Sequence, residues 1–290
     1  AKAKENLYGY LERGDMKQDA KPMFYIYKQV MEGRAQYGLV GLASVDEYMD
    51  GIIKKHELTR AEKEADRIKH VDICDAHSSP VFFTYRHNDE IDELVHRISG
   101  TTTAQYDFVT DDSIGHTLWL VDSAEDIATI SRVFGEMDYL YVADGHHRTA
   151  SAAKVGLVRR EQFPNYTGEE EFNFFMTVIF PDNQLKIFDY NRVVKDLNGS
   201  STEEYMAKVA EKFDIRPTSQ DGPYHPAKLH EFGMYLEGKW YCLSPKAGTW
   251  NEQDVVENLD VSILQRNLLH PILGINDPRT DKRIDFIGGI

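Results

Sequence analysis

Asp144-Gly145-His146-His147-Arg148 lies between an apolar alternating run, Asp138-Tyr139-Leu140-Tyr141-Val142-Ala143, and the alanine-rich Thr149-Ala150-Ser151-Ala152-Ala153-Lys154-Val155. The first run has the period of a strand and the second a helix-favouring composition, so the stretch predicts strand, tight turn and helix in that order. In this arrangement Asp144 is expected to cap the helix, and Gly145 lets the backbone bend and approach a ligand closely. The first free amides of the helix then point outward as anion donors. His146, His147 and Arg148 place three candidate cations where the helix dipole is already positive, which is unfavourable unless an anion is to be received. Arg148 offers a rigid fork of donors suited to phosphate, and each imidazole can donate a hydrogen bond or move a proton near neutral pH. A solvated helix start would also tolerate such a run. The apolar segments on both sides favour the mouth of a sheet instead. The turn matches neither a P-loop nor a dinucleotide-binding glycine fingerprint.

Composition limits what such a turn can serve. A chain of 290 residues, 41% hydrophobic and 28% charged, has the make-up of a soluble globular protein with length for one large or two ordinary domains. Its net charge of −15 repels nucleic acid and anionic membranes, so neither is an expected partner. Cys74 and Cys242 fit no metal or redox spacing and read as reduced thiols, in line with a cytoplasmic chain. No run approaches the ~18 apolar residues of a membrane span, and no signal peptide opens the chain. The helical character of the first residues, beginning at Ala1, suggests an excerpt of a longer protein.

Outward from the turn, strands and helices alternate. A helix is expected over 4–13, and a hairpin from Met23–Val30 and Ala35–Leu42 around Glu32-Gly33. Thr59 followed by Glu62 has capping-box spacing and predicts a long polar helix towards His77, with Ala61, Ala65, Ile68 and Val71 on its apolar side. The segment before that cap concentrates Lys54, Lys55, His56, Glu57 and Arg60, enough for phosphate contacts and a general base. Strands follow at 80–85, 104–110 and 116–121, a helix at 90–98, and a helix capped by Ser123. Phe172–Phe180 reads as the strongest strand, with Leu185–Tyr190 predicted to pair with it and Asn191-Arg192 closing the pair. Beyond Gly199 an appended region is expected: a helix over 202–212, a hairpin around Glu237-Gly238, and a helix from Asp254 to Leu269. These features predict an α+β fold, a mixed sheet with flanking helices in residues 1–198 and an appended C-terminal α/β region in 199–290.

Ala143–Thr149, Lys54-Lys55-His56-Glu57 and the approach His116–Val121 together resemble the family called domain of unknown function 1015, over nearly the whole chain. The Asp-Gly-His-His-Arg turn is also similar to that of the ParB/sulfiredoxin-like fold, in which the corresponding turn holds nucleotide phosphates. The free-serine kinase of that fold shares the turn and uses an upstream glutamate as base. The resemblance implies phosphoryl transfer from ATP or ADP, with Mg²⁺, to the hydroxyl of a small metabolite such as free L-serine. It implies Glu57 as general base with His56 second, and His146 and His147 on the transferring group. Arg148, Lys55, Arg60, Gly145 and Thr149 would surround the phosphates, and Asp144 would cap the helix or hold Mg²⁺. Two other classes stay open. One is a nucleotide-binding regulator that acts through protein partners, as ParB-like proteins do. The other is a metal-dependent hydrolase, disfavoured because neighbours on one helix turn splay about 100° apart and make poor joint ligands. Oligomeric state is open.

Overall fold

The computed structural model describes residues 2–57, 61–218 and 222–288, and the chain divides into two compact units, Ala1–Lys186 and Ile187–Ile290. The division falls earlier than the expected boundary at 198/199, because the strand at 190–194 pairs within the second unit. The fold is α+β.

The first unit opens with α1 (Lys2–Glu12), β1 (Phe24–Met31) and β2 (Arg34–Ser44). Glu32 (φ 52°) and Gly33 (φ 76°) both adopt the left-handed conformation, the two-residue turn whose twist matches that of paired strands. Next come α2 (Val45–Met49), β3 (Ile53–Lys54), α3 (Ala61–Cys74), β4 (Val81–Tyr85), α4 (Asp89–Thr101), β5 (Tyr106–Val109) and β6 (Gly115–Val121). The unit ends with α5 (Ala124–Gly135), β7 (Leu140–Asp144), α6 (His146–Gln162) and β8 (Phe174–Pro181). The eight strands form one mixed sheet in the order β3-β7-β4-β8-β2-β1-β6-β5. Its pairs are antiparallel except β3 with β7 and β4 with β8. Ile26, Phe83, Ile91, Ile130, Val142 and Phe175 lie at the centre of the core, each almost fully buried. Helix α6 comes close to its neighbours because its buried positions are small: Ala150, Ser151, Ala152, Ala153 and Gly156. A Cβ on Gly156 would stand 2.5 Å from the Phe172 carbonyl oxygen, so the chain permits no side chain there.

The second unit holds β9 (Tyr190–Val194), α7 (Thr202–Lys212), β10 (Phe213–Pro217), β11 (Phe232–Leu236), β12 (Lys239–Pro245), α8 (Asp260–Leu264) and β13 (Ile284–Gly288). Strands β10, β12 and β11 form an antiparallel sheet, and β9 pairs with β13. Ser201 and Glu204 close a reciprocal capping box on α7. Tyr205, Val209, Phe213, Leu243, Ile263 and Ile275 make a separate core.

Several expectations are corrected. Leu185–Tyr190 does not pair with β8, whose two edges are taken by β2 and β4. The helix expected over 254–269 begins only at Asp260, after turns that leave Val255 and Val256 exposed, and finishes as a π turn over Gln265–Leu269. Ser123 occupies the N-cap position of α5 but makes no side-chain cap bond. On α3, Ile68 and Val71 are half-buried, in line with the apolar face read from the sequence, but Ala65 is exposed and Glu64 is buried. The reason lies on α6, where Lys154 pairs with the Glu64 carboxylate and Ser151 Oγ donates to the Glu64 carbonyl. Thr59, proposed as the cap of α3, lies outside the described residues. Both cysteines are free and buried. Among the described residues no helix is long and apolar enough to cross a membrane.

Candidate functional site

The predicted strand, turn and helix are β7, Gly145 and α6. Strand β7 pairs with β4 on one side (Phe83 opposite Val142) and runs parallel to the short β3 on the other (Ile53 opposite Leu140, Lys54 opposite Tyr141). Parallel pairing sends both strands out of the sheet in the same direction. The residues after β3 (Lys55, His56, Glu57) and those after β7 (Gly145 to Arg148) therefore emerge side by side, although almost ninety positions separate them in sequence.

Gly145 makes the junction. It is left-handed (φ 93°, ψ 27°), and a Cβ there would meet the Arg148 guanidinium at 3.2 Å and Val81 Cγ1 at 3.4 Å. It is also the N-cap residue of α6, which corrects the role expected of Asp144: that residue still belongs to β7. The Asp144 side chain is mostly exposed, with Oδ2 3.6 Å from Arg148 Nη2. Thr149 is corrected too. It is fully buried, and both its amide and its hydroxyl donate to the Gly145 carbonyl (2.9 and 3.1 Å), so it braces the turn from behind instead of facing a phosphate.

The two segments meet through Glu57, His56 and His146. Glu57 Oε2 lies 3.3 Å from His146 Nδ1, and the His56 ring stands edge-on to the His146 ring with centroids 4.3 Å apart. His146 is 4% exposed, and its Nε2 is buried with no hydrogen-bond partner among the described residues. Burial, and next the neighbouring His56, hold its pKa below the ordinary 6.5, with Glu57 and Asp144 pulling the other way. The imidazole is therefore neutral at pH 7, one nitrogen facing a carboxylate and the other uncommitted. Glu57 itself is more than half exposed and can meet a solute.

The basic residues are distributed differently from expectation. Arg148 Nη1 donates to Ser79 Oγ and to the Pro80 carbonyl, both at 2.9 Å, so the guanidinium is braced against the chain entering β4. Lys55 Nζ sits 4.1 Å above the Tyr48 ring. His147 is half-buried in the first turn of α6, and its carbonyl accepts from Ser151 Oγ at 2.7 Å. Arg60 lies outside the described residues. Ser79, Pro80, Tyr48 and the Glu64–Lys154 pair all support this region, and sequence reasoning missed them. Ser79 and Pro80 carry no pattern of their own, and a glutamate at helical spacing reads as solvated.

The ensemble joins a reachable carboxylate, a desolvated neutral imidazole and the start of a long helix whose first amides have no intrahelical partner. It can take a proton from a solute and hold negative charge beside it. No group of three or more histidines, cysteines or carboxylates suited to a metal ion occurs among the described residues.

No curated protein and no solved structure matches the chain. A family match over residues 1–262 does emerge, and by it the chain belongs to the family described as "Protein of unknown function (DUF1015)".

Proposed function

We propose that this protein is a phosphotransferase that carries a phosphoryl group from ATP or ADP to the hydroxyl of a small metabolite, with free L-serine the first acceptor to test. The observation that carries this reading is the approach of Glu57 to His146 at the opening of α6. Phosphoryl transfer asks little covalent chemistry of a protein; it needs positioning, charge stabilisation and a base for the attacking hydroxyl.

In this reading Glu57 is that base, supported by a carboxylate that is more than half exposed and lies 3.3 Å from His146 Nδ1. A neutral His146 steadies Glu57 without drawing a proton from the acceptor. The α6 amides, with His147 and Lys55 alongside, would face the phosphates. Arg148, braced by Ser79 and Pro80, adds a fixed positive charge. The exposed Asp144 fits the single carboxylate that Mg²⁺ needs when nucleotide phosphates supply its other oxygens, and the ion would neutralise phosphate charge. The likeness of the Asp-Gly-His-His-Arg turn to phosphate-holding turns supports the same reading.

The test is incubation of the purified chain with ATP or ADP, Mg²⁺ and a panel of free hydroxy amino acids, followed by ³¹P NMR. A new phosphomonoester resonance that depends on the acceptor is the expected result. Nucleotide binding with no phosphorylated acceptor would instead make the protein a nucleotide-responsive regulator and overturn the transferase reading.

A further inference from the structure

The second unit contains five arginines, and four of them are ion-paired. Arg216 meets Glu231 at 3.2 Å, Arg266 meets Glu257 at 2.5 Å, Arg279 meets Asp277 at 2.9 Å and Arg283 meets Asp281 at 3.1 Å. Arg192 differs: among the described residues no carboxylate comes within ion-pair distance of it. It lies in the middle of β9 opposite Phe286 of β13, and its guanidinium rests against the rings of Tyr190 and Phe286 at 5.6 and 5.5 Å. Among the described residues its one side-chain hydrogen bond goes to the Tyr190 carbonyl. Two aromatic faces screen the charge from water without neutralising it, and burial accordingly pulls the pKa below the usual arginine value. An arginine stays protonated under such a shift.

Arg192 also lines an open pocket of about 280 Å³, together with Val261, Ser262, Gln265, Arg266, Leu269 and Pro278. Positions 262, 265, 266 and 269 follow the spacing of one helical face. They span the passage from α8 into the π turn, where the His270 amide bonds back to the Gln265 carbonyl at 2.9 Å. Turns of this kind recur at functional sites. Gln265 Nε2 is committed to the Ile275 carbonyl and Arg266 Nη1 to Glu257, so Arg192, Ser262 and the remaining donors of Arg266 are the polar donors of the lining, beside the apolar Val261, Leu269 and Pro278. The aromatic faces and the carbonyl hold the guanidinium in place while no carboxylate among the described residues pairs with it, and its planar fork matches carboxylate and phosphate oxygens. We propose that this cavity is an anion site of the second unit, which receives the phosphate or carboxylate group of a small ligand with Arg192 as anchor and Arg266 and Ser262 as flanking donors. The site uses none of the residues assigned to phosphoryl transfer and stands whether or not that reading does.

Isothermal titration of the full chain with inorganic phosphate, and separately with succinate, tests the assignment and tells the two anion classes apart. Wild type, Arg148→Gln, Arg192→Gln and Arg266→Gln are compared, with thermal melts to confirm folding. At least one probe is expected to bind wild type, to bind Arg192→Gln at least tenfold more weakly, and to be weakened severalfold by Arg266→Gln, with Arg148→Gln reporting any share of phosphate held at the α6 turn. Binding lost in Arg148→Gln but kept in Arg192→Gln would place the anion at the α6 turn and overturn the proposal, as would no binding of either probe at millimolar concentration. Should Arg192→Gln fail to fold, the exposed Arg266 decides: an affinity unchanged in Arg266→Gln overturns it.

Discussion

At the scale of single residues, the Glu57–His146 approach concentrates the chemistry, and two predictions follow from it. Replacing Glu57 by Gln keeps the shape and removes the proton acceptor. Turnover in the phosphoryl-transfer assay should fall about a hundredfold or more while nucleotide affinity stays as in wild type, because general-base groups contribute on that order. Undiminished turnover would reduce Glu57 to a surface charge. The second prediction concerns pH. His146 has a folded pKa below the 6.5 of its unfolded value, so the unfolded chain binds that proton more readily. Its contribution to stability is therefore fully present above about pH 6.5 and is lost as pH falls through the folded value. His77, also held down by burial, works in the same direction. Urea midpoints should decline as pH drops below about 6.5, and His146→Gln should make the decline shallower; equal declines in both proteins would exclude His146 from the effect. Gly145 was legible from sequence because a left-handed turn between strand and helix is a local demand. Asp144 was misread because capping was assigned by residue type, while the chain needs one more strand residue to complete β7 before it turns.

Among the elements, α6 shows most clearly how close packing constrains the sequence. A methyl at Gly156 would press into the Phe172 carbonyl and, at 3.1 Å, into Val45. Gly156→Ala should thus destabilise the first unit by about 1–3 kcal/mol despite its better helix propensity, as overpacking does. Denaturant midpoints at unchanged slope would measure this, and a gain in stability would contradict the geometry. The hairpin at Glu32-Gly33 and the strand and helix that meet at Gly145 were legible because their signals lie within a few residues. The fate of Leu185–Tyr190 was not, since an apolar run announces that it wants a partner and never which one. The same holds for β13, too short and too polar at Asp285 to stand out, whose pairing with β9 draws the unit boundary back to Lys186. Glu64 escaped notice for a related reason: its burial depends on Lys154 across a packed helix pair, and helical spacing within α3 carries no trace of that partner.

For the molecule as a whole, the division after Lys186 gives a direct expectation. Residues 185–189 carry no regular structure and Ile187 is 96% exposed, so brief trypsin treatment should cut early after Lys186 and release fragments 1–186 and 187–290, visible by intact mass. Early cleavage confined to other sites would count against that join. The α+β class followed from alternating periodicities. The nearness of residues 55–57 to 145–148 could be expected from family resemblance but not from pattern, because it depends on which strands run parallel. That nearness hangs on β3, a strand of two residues. So short a ladder at the sheet's edge opens at lower free energy than the strands inside it. Mild denaturant or warming should accordingly detach the glutamate-bearing segment while the core remains folded. Catalytic inactivation would then come ahead of any change in circular dichroism, and recover at once on dilution.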